Sequence, residues 1–225
     1  MGDNQSFIIA SLLPAHLPST STHKTPVNIV FHPYPIRVSY DEVGTLAPNL
    51  YEAYQNSIDM VLHLGLAMNE QHYSLEESAD RDGYDNHDDI DRHRFLSEDG
   101  EKKWPNGYAT LRTTLDFDAI YNTWRSNLLQ TPEAFSALEG VIVRRNSGKG
   151  TFICDFLYYA MMAEYTKRRM LSAQAMEGRP VMFLHVPGKT TPNNIKQGRI
   201  VVLMLVRSMA ETWARKTDKR AGKAG

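Results

Sequence analysis

Cysteine is nearly absent from this chain: 225 residues contain one, Cys154. A single thiol cannot close an internal disulfide, so the expected setting is a reducing one, the cytosol. Long apolar runs are missing too. The longest, IVVLMLV at 200–206, is far short of the roughly 20 residues that a membrane-crossing helix needs. The opening MGDNQSFIIASLLPAHLPS has no cationic start ahead of its short apolar stretch, unlike a secretory leader. Neither sign of charge dominates. Lys+Arg 25 against Asp+Glu 26 leaves a formal net charge of -1, so there is no broad basic field for nucleic acid and no acidic excess to keep the chain unfolded. The tail RKTDKRAGKAG is too short and mixed in sign to change that.

What is present suffices for one large domain. A hydrophobic fraction of 42% with 23% charged residues is that of an ordinary globular core, and no linker divides the chain. Helix-like and strand-like segments alternate. SFIIASLLPAHL predicts a helix stopped by Pro14, and VNIVFHPYPIRVSY an extended strand leaving the sheet at its prolines. The second half of DEVGTLAPNLYEAYQ is helical in spacing, and DMVLHLGLA (59–67) reads as a buried strand ending at Gly65. From Asp80 to Gly107 the chain is polar, an excursion from the sheet that could carry a hairpin. DFDAIYNTWRSNLLQ predicts a helix capped by Asp116; EGVIVRRNS a strand; TFICDFLYYAMMAEYTKRRM a helix with its cations at the C-terminal end, where the dipole favours them. RPVMFLHVPG is a further strand, and Pro192 suits the first turn of a closing helix. The alternation predicts a single-domain three-layer α/β/α sandwich around a mostly parallel sheet.

Cys154 lies where a polar, glycine-containing segment (146–150) runs into an apolar helix. A helix N-terminus favours a thiolate, whereas burial in TFICDFLYY would make the same residue a small piece of core. His185 finishes a strand just before a Pro-Gly stop. In α/β sheets, chemistry gathers outside the carboxyl ends of strands, so the thiol and imidazole could meet there, the ring acting as base and then acid. A strand-end histidine bonded to backbone is the alternative. His63 sits within its apolar run and is the weaker partner. Glu76 and Glu77 could orient the imidazole, or could be solvated loop acids. DRDGYDNHDDID fails as a calcium loop, with Gly83 fourth from Asp80 rather than sixth and Asp91 at the twelfth place. SGKGT fails as a phosphate loop, with Val143 where the first glycine is required.

Three segments in one order resemble the pyroglutamyl-peptidase I family of cysteine peptidases, particularly its eukaryotic, fungal-like branch. GKGTFICDFLYYA resembles the nucleophile motif and VMFLHVPG the strand ending in His-x-Pro. HLGLAMNEQHYSLEESADRDGYD resembles the strand-Gly segment in which a Glu follows eleven residues after the glycine. The resemblance runs from about Asn4 to the last helix. It implies Cys154 as nucleophile, His185 as base, Glu76 rather than Glu77 as the orienting carboxylate, Phe152 as a wall of the lactam pocket and Arg94 as a basic group near it. It also implies removal of N-terminal pyroglutamate from peptides without metal or organic cofactor, no nucleic-acid or membrane partner, and a possible homo-oligomer. The implied domain is 1–215, with 216–225 a flexible tail. One departure stands out. The family opens with a strand and Gly-Phe-x-Pro-Phe, then Asn-Pro-Ser and an aromatic; here Asn4-Gln5-Ser6-Phe7 meets only the end of that pattern. The expectation is therefore a fold without the family's first strand. The alternative to an active peptidase is a catalytically deficient homologue that keeps the fold.

Overall fold

A computed structural model describes residues 4–130, 137–148, 150–171, 178–189 and 191–221. Its centre is a four-stranded sheet in the order β3 (Val61–Ala67), β8 (Val181–Pro187), β4 (Tyr73–Glu76), β7 (Val143–Asn146). β3 and β8 are parallel, as are β4 and β7, while β4 and β8 are antiparallel. VMFLHVP reads as an unbroken apolar run because β8 is covered on both faces. Val181 and Phe183 enter the core beneath α2 (Tyr40–Tyr54) and α5 (Ile153–Leu171). Met182, Leu184 and Val186 enter the other, against α1 (Gln5–Ser11), α4 (Phe117–Gln130) and α6 (Pro192–Ala221). The three-layer α/β/α architecture follows from these two cores.

Several local expectations hold for physical reasons the structure makes explicit. Asp116 Oδ1 accepts the Ala119 N–H at 3.1 Å and so caps α4. Arg168 and Arg169 close α5 at its negative end. Pro192 opens α6, which continues to Ala221, past residue 215.

Other expectations need correction. Of VNIVFHPYPIRVSY only β2 (Val27–Asn28) is strand, pairing antiparallel with β1 (His16–Leu17) in a separate two-stranded ladder. Pro33 and Pro35 have no N–H to offer a neighbour, so no longer ladder forms. β3 continues through Gly65 to Ala67 and is only partly buried, because it lies at an edge of the sheet rather than inside it. α2 begins at Tyr40, with Asp41 and Glu42 in its first turn, and contains Pro48. The excursion is closed by β5 (Ser78–Asp80) pairing antiparallel with β6 (Thr110–Arg112), and it contains α3 (Ser97–Lys103). Its aromatic side chains Tyr84, Phe95 and Trp104 are buried with Phe156 of α5.

Candidate active site

The site forms where the carboxyl end of β8, the end of β4 and the start of α5 meet. Strand alternation puts His185 on the same face of β8 as Phe183, towards α5. On β4, Ser74 pairs with His185 and Glu76 with Phe183, so Glu76 is the diagonal neighbour of His185 on that face. The two side chains meet there: His185 Nδ1 lies 2.8 Å from Glu76 Oε1. Glu76 is 2% exposed, which makes it a strand residue in the protein interior and not the solvated loop acid its composition suggested. Glu77, one residue on, points the other way and pairs with Arg112 at 2.7 Å.

Cys154 is the second residue of α5 and half-buried. The Phe152 carbonyl accepts the N–H groups of Asp155 and Phe156 at 3.0 and 3.2 Å, fixing the helix start immediately before the thiol. The thiol and the His185 ring line the same groove. Burial disfavours charge on this ring, but the hydrogen bonds and charges of Cys154 and Glu76 outweigh it, and the His185 pKa rises to about 10. The ring is therefore an imidazolium at neutral pH.

A further carboxylate stands under the site. Asp155 is buried, and that burial, with the nearby Glu76 charge, raises its pKa to about 6 against the opposing pull of His185. Its carboxylate lies so close over Gly150 that a Cβ there would sit 1.8 Å from the carboxyl carbon. Glycine is thus required in the loop before Cys154. Gly65 has an equivalent reason: a Cβ would meet the Phe183 ring at 2.8 Å and the His185 ring at 3.2 Å. The glycine that looked like the end of a strand is instead the place where β3 lets the His185 ring pack.

The remaining residues singled out from sequence divide. Phe152 lines the groove that opens at Cys154 and is 60% exposed. Arg94 is not among the residues lining that groove; its exposed guanidinium is held by Asp88 on the excursion. His63 faces the same groove from β3, but both its ring nitrogens are shielded without a hydrogen-bond partner, and its ring lies edge-on to Tyr158 and Phe183. Burial lowers its pKa to about 4, so it is neutral. The acids of DRDGYDNHDDID hold the excursion together: Asp89 accepts the N–H groups of Tyr40, Asp91 and His93, Asp85 caps Ser97, and Asp91 pairs with Arg37. Among the described residues no cluster of His, Cys, Asp or Glu is arranged to hold a metal ion.

The groove is large, about 1380 Å³, and runs from Cys154 along the outer edge of β3 to Asp59. Its far wall is the 27–38 segment, and among the described residues β3 pairs with β8 alone.

The sequence matches no family model and no curated protein. Solved structures do match it. The pyrrolidone carboxyl peptidase of Thermococcus litoralis superposes with a TM-score of 0.68 at 16% identity, over 96% of this chain and 91% of that one. Pyroglutamyl peptidase I of Bacillus amyloliquefaciens gives 0.65 at 18% identity, over 93% and 90%. The Thermus thermophilus pyrrolidone carboxyl peptidase gives 0.58 at 17% identity, over 92% and 93%. The chain therefore has the fold of the pyrrolidone carboxyl peptidases.

Proposed function

We propose that the protein is a cysteine-type omega-peptidase that removes N-terminal pyroglutamate from peptides, with Cys154, His185 and Glu76 as its catalytic residues. The observation that carries this reading is the ring of His185, bonded to the buried Glu76 through Nδ1 at 2.8 Å and sharing one groove with the thiol at the start of α5. In the proposed reaction the Cys154 thiolate attacks the carbonyl carbon of the pyroglutamyl peptide bond. Negative charge develops on that oxygen, and backbone N–H groups near Cys154, at the N-terminus of α5, would receive it. His185 donates its proton to the departing amine, leaving a pyroglutamyl thioester on Cys154. The ring, now neutral, takes a proton from water as the water attacks the thioester, and pyroglutamic acid leaves. Glu76 holds the ring through Nδ1 and balances its positive charge in both halves of the cycle.

The lactam is uncharged, so an apolar wall such as Phe152 with a few hydrogen bonds suffices to bind it. Peptides, not nucleic acid or lipid, are the proposed partners, and the cytosol the proposed location.

The β3 edge favours a second reading. A groove of about 1380 Å³ exceeds the roughly 300–1,000 Å³ typical of small-molecule sites and encloses a small lactam loosely. On that reading the chain keeps the fold with little turnover. Hydrolysis of a fluorogenic pyroglutamyl amide separates the two, with Cys154→Ser as control. The peptidase reading expects turnover that the variant loses. Folded wild-type protein without turnover would leave only the second reading.

A further inference from the structure

Phe152 presents a physical problem. Its backbone is fixed, because its carbonyl caps α5, yet its ring is 60% exposed beside the nucleophile. An exposed phenylalanine is ordinarily free to change rotamer, and a wall that moves must be ordered anew each time a ligand binds. Something has to hold the ring.

His87 does so. It lies on the excursion between β5 and α3, and its imidazole stacks on the Phe152 ring with centroids 4.1 Å apart and planes 28° from parallel. Its Nε2 lies 3.1 Å from Thr151 Oγ1, so one side chain grips both residues that precede α5. His87 is itself braced. Its N–H donates to the Tyr84 carbonyl at 3.3 Å, and its carbonyl accepts the Tyr40 hydroxyl at 3.2 Å. Tyr84 and Tyr40 in turn pack against Phe156, one helical turn beyond Phe152, at 5.5 and 5.2 Å. The excursion thus rests on α5 at Phe156 and reaches back to Phe152.

We propose that His87 is a positioning residue for substrate: it holds Phe152 so that the ring's free face forms a preset wall for the uncharged lactam. The role rests on the pyroglutamyl reading above. His87 touches neither Cys154 nor His185, so it acts on binding of the acyl group and leaves the thiol chemistry alone.

The test uses His87→Ala, His87→Phe and His87→Gln in the full chain, with two readouts. In steady-state hydrolysis of a pyroglutamyl amide, His87→Ala and His87→Gln are expected to raise KM about threefold to tenfold, the worth of one aromatic pair, with kcat within about twofold. His87→Phe, which restores the stack without the hydrogen bond, is expected to return KM close to wild type. The second readout needs no turnover. Cys154, the single cysteine, is alkylated with iodoacetamide in the presence of 2-pyrrolidone. Alkylation without ligand should proceed at the wild-type rate in all variants, whereas protection by 2-pyrrolidone should weaken in His87→Ala and His87→Gln only. Wild-type KM and protection in His87→Ala would overturn the inference. So would failure of His87→Phe to restore them, or a fall in kcat and alkylation rate at unchanged KM. If 2-pyrrolidone does not protect the wild-type thiol, the lactam reading itself falls, and this inference with it.

Discussion

The two ends of the groove are built to opposite standards. At the Cys154 end the side chains are partnered: Glu76 bonds His185, Asp155 closes over Gly150, and His87 backs Phe152. Along β3, among the described residues, a strand flanked by both cores pairs with β8 alone, and His63 buries both ring nitrogens without a partner. Both ends use the same device, side chains alternating between the faces of neighbouring strands. The difference is position in the sheet. β8 has neighbours on both sides, so its face can be furnished with polar groups from β4 and capped by a helix. β3 is at an edge, where backbone and imidazole alike lack a second neighbour. Order at the proposed site and pairing along β3 are thus separate properties of this chain, and each can be perturbed without the other.

The sharpest contrast is between adjacent glutamates. Glu76→Gln removes the charge behind His185 and is expected to lower kcat by about 10²–10⁴-fold, as loss of an orienting carboxylate does. Glu77→Gln breaks an exposed pair with Arg112 and should leave kcat within about twofold. Steady-state kinetics of the two variants checks this; equal effects would dissolve the assignment.

A second effect is read in stability against pH. The folded pKa of His185, about 10, lies above its ordinary 6.5, so the folded state holds more protons between those values. The stabilisation is complete below pH 6.5 and is lost as pH rises to about 10, on the order of a few kcal/mol in all. Denaturant unfolding at steps from pH 6.5 to 10 should show this decline, and His185→Gln should flatten it. A wild-type curve that rises over the same window would contradict the charged ring.

The smallest effect belongs to the other end. His63→Leu replaces an orphaned imidazole with an apolar side chain and is expected to gain about 1 kcal/mol, a rise of about 2–4 °C in Tm. Turnover should stay within about twofold. A large loss of activity would show that the catalytic end reaches further down β3 than its contacts indicate.

Legibility in the sequence followed the strength of local signals. α5 and β8 were readable because long apolar segments carry their own periodicity, and with them came Cys154 and His185 as residues able to meet. β4 was not. Tyr73–Glu76 is four residues with no β-branched side chain, and its assignment as an inner strand comes from β7 and β8 on either side. Glu76 was accordingly placed by resemblance, while its residue type alone suggested a solvated loop acid. VNIVFHPYPIRVSY failed in the other direction, since strong strand composition cannot supply the N–H groups that its prolines lack. His87 gave no signal. It meets Thr151 across 64 residues, and no spacing rule links an excursion to the helix it braces.

The most direct test of the account is to catch the acyl group on the sulfur. Wild-type protein is mixed with a pyroglutamyl amide, quenched in acid within the first turnover, and its intact mass and peptide map are recorded. The expected result is a transient population heavier by one pyroglutamyl group, with the adduct on the peptide that contains Cys154 and absent from Cys154→Ala. Turnover with no adduct on Cys154, or turnover that survives the loss of its thiol, would contradict the central claim.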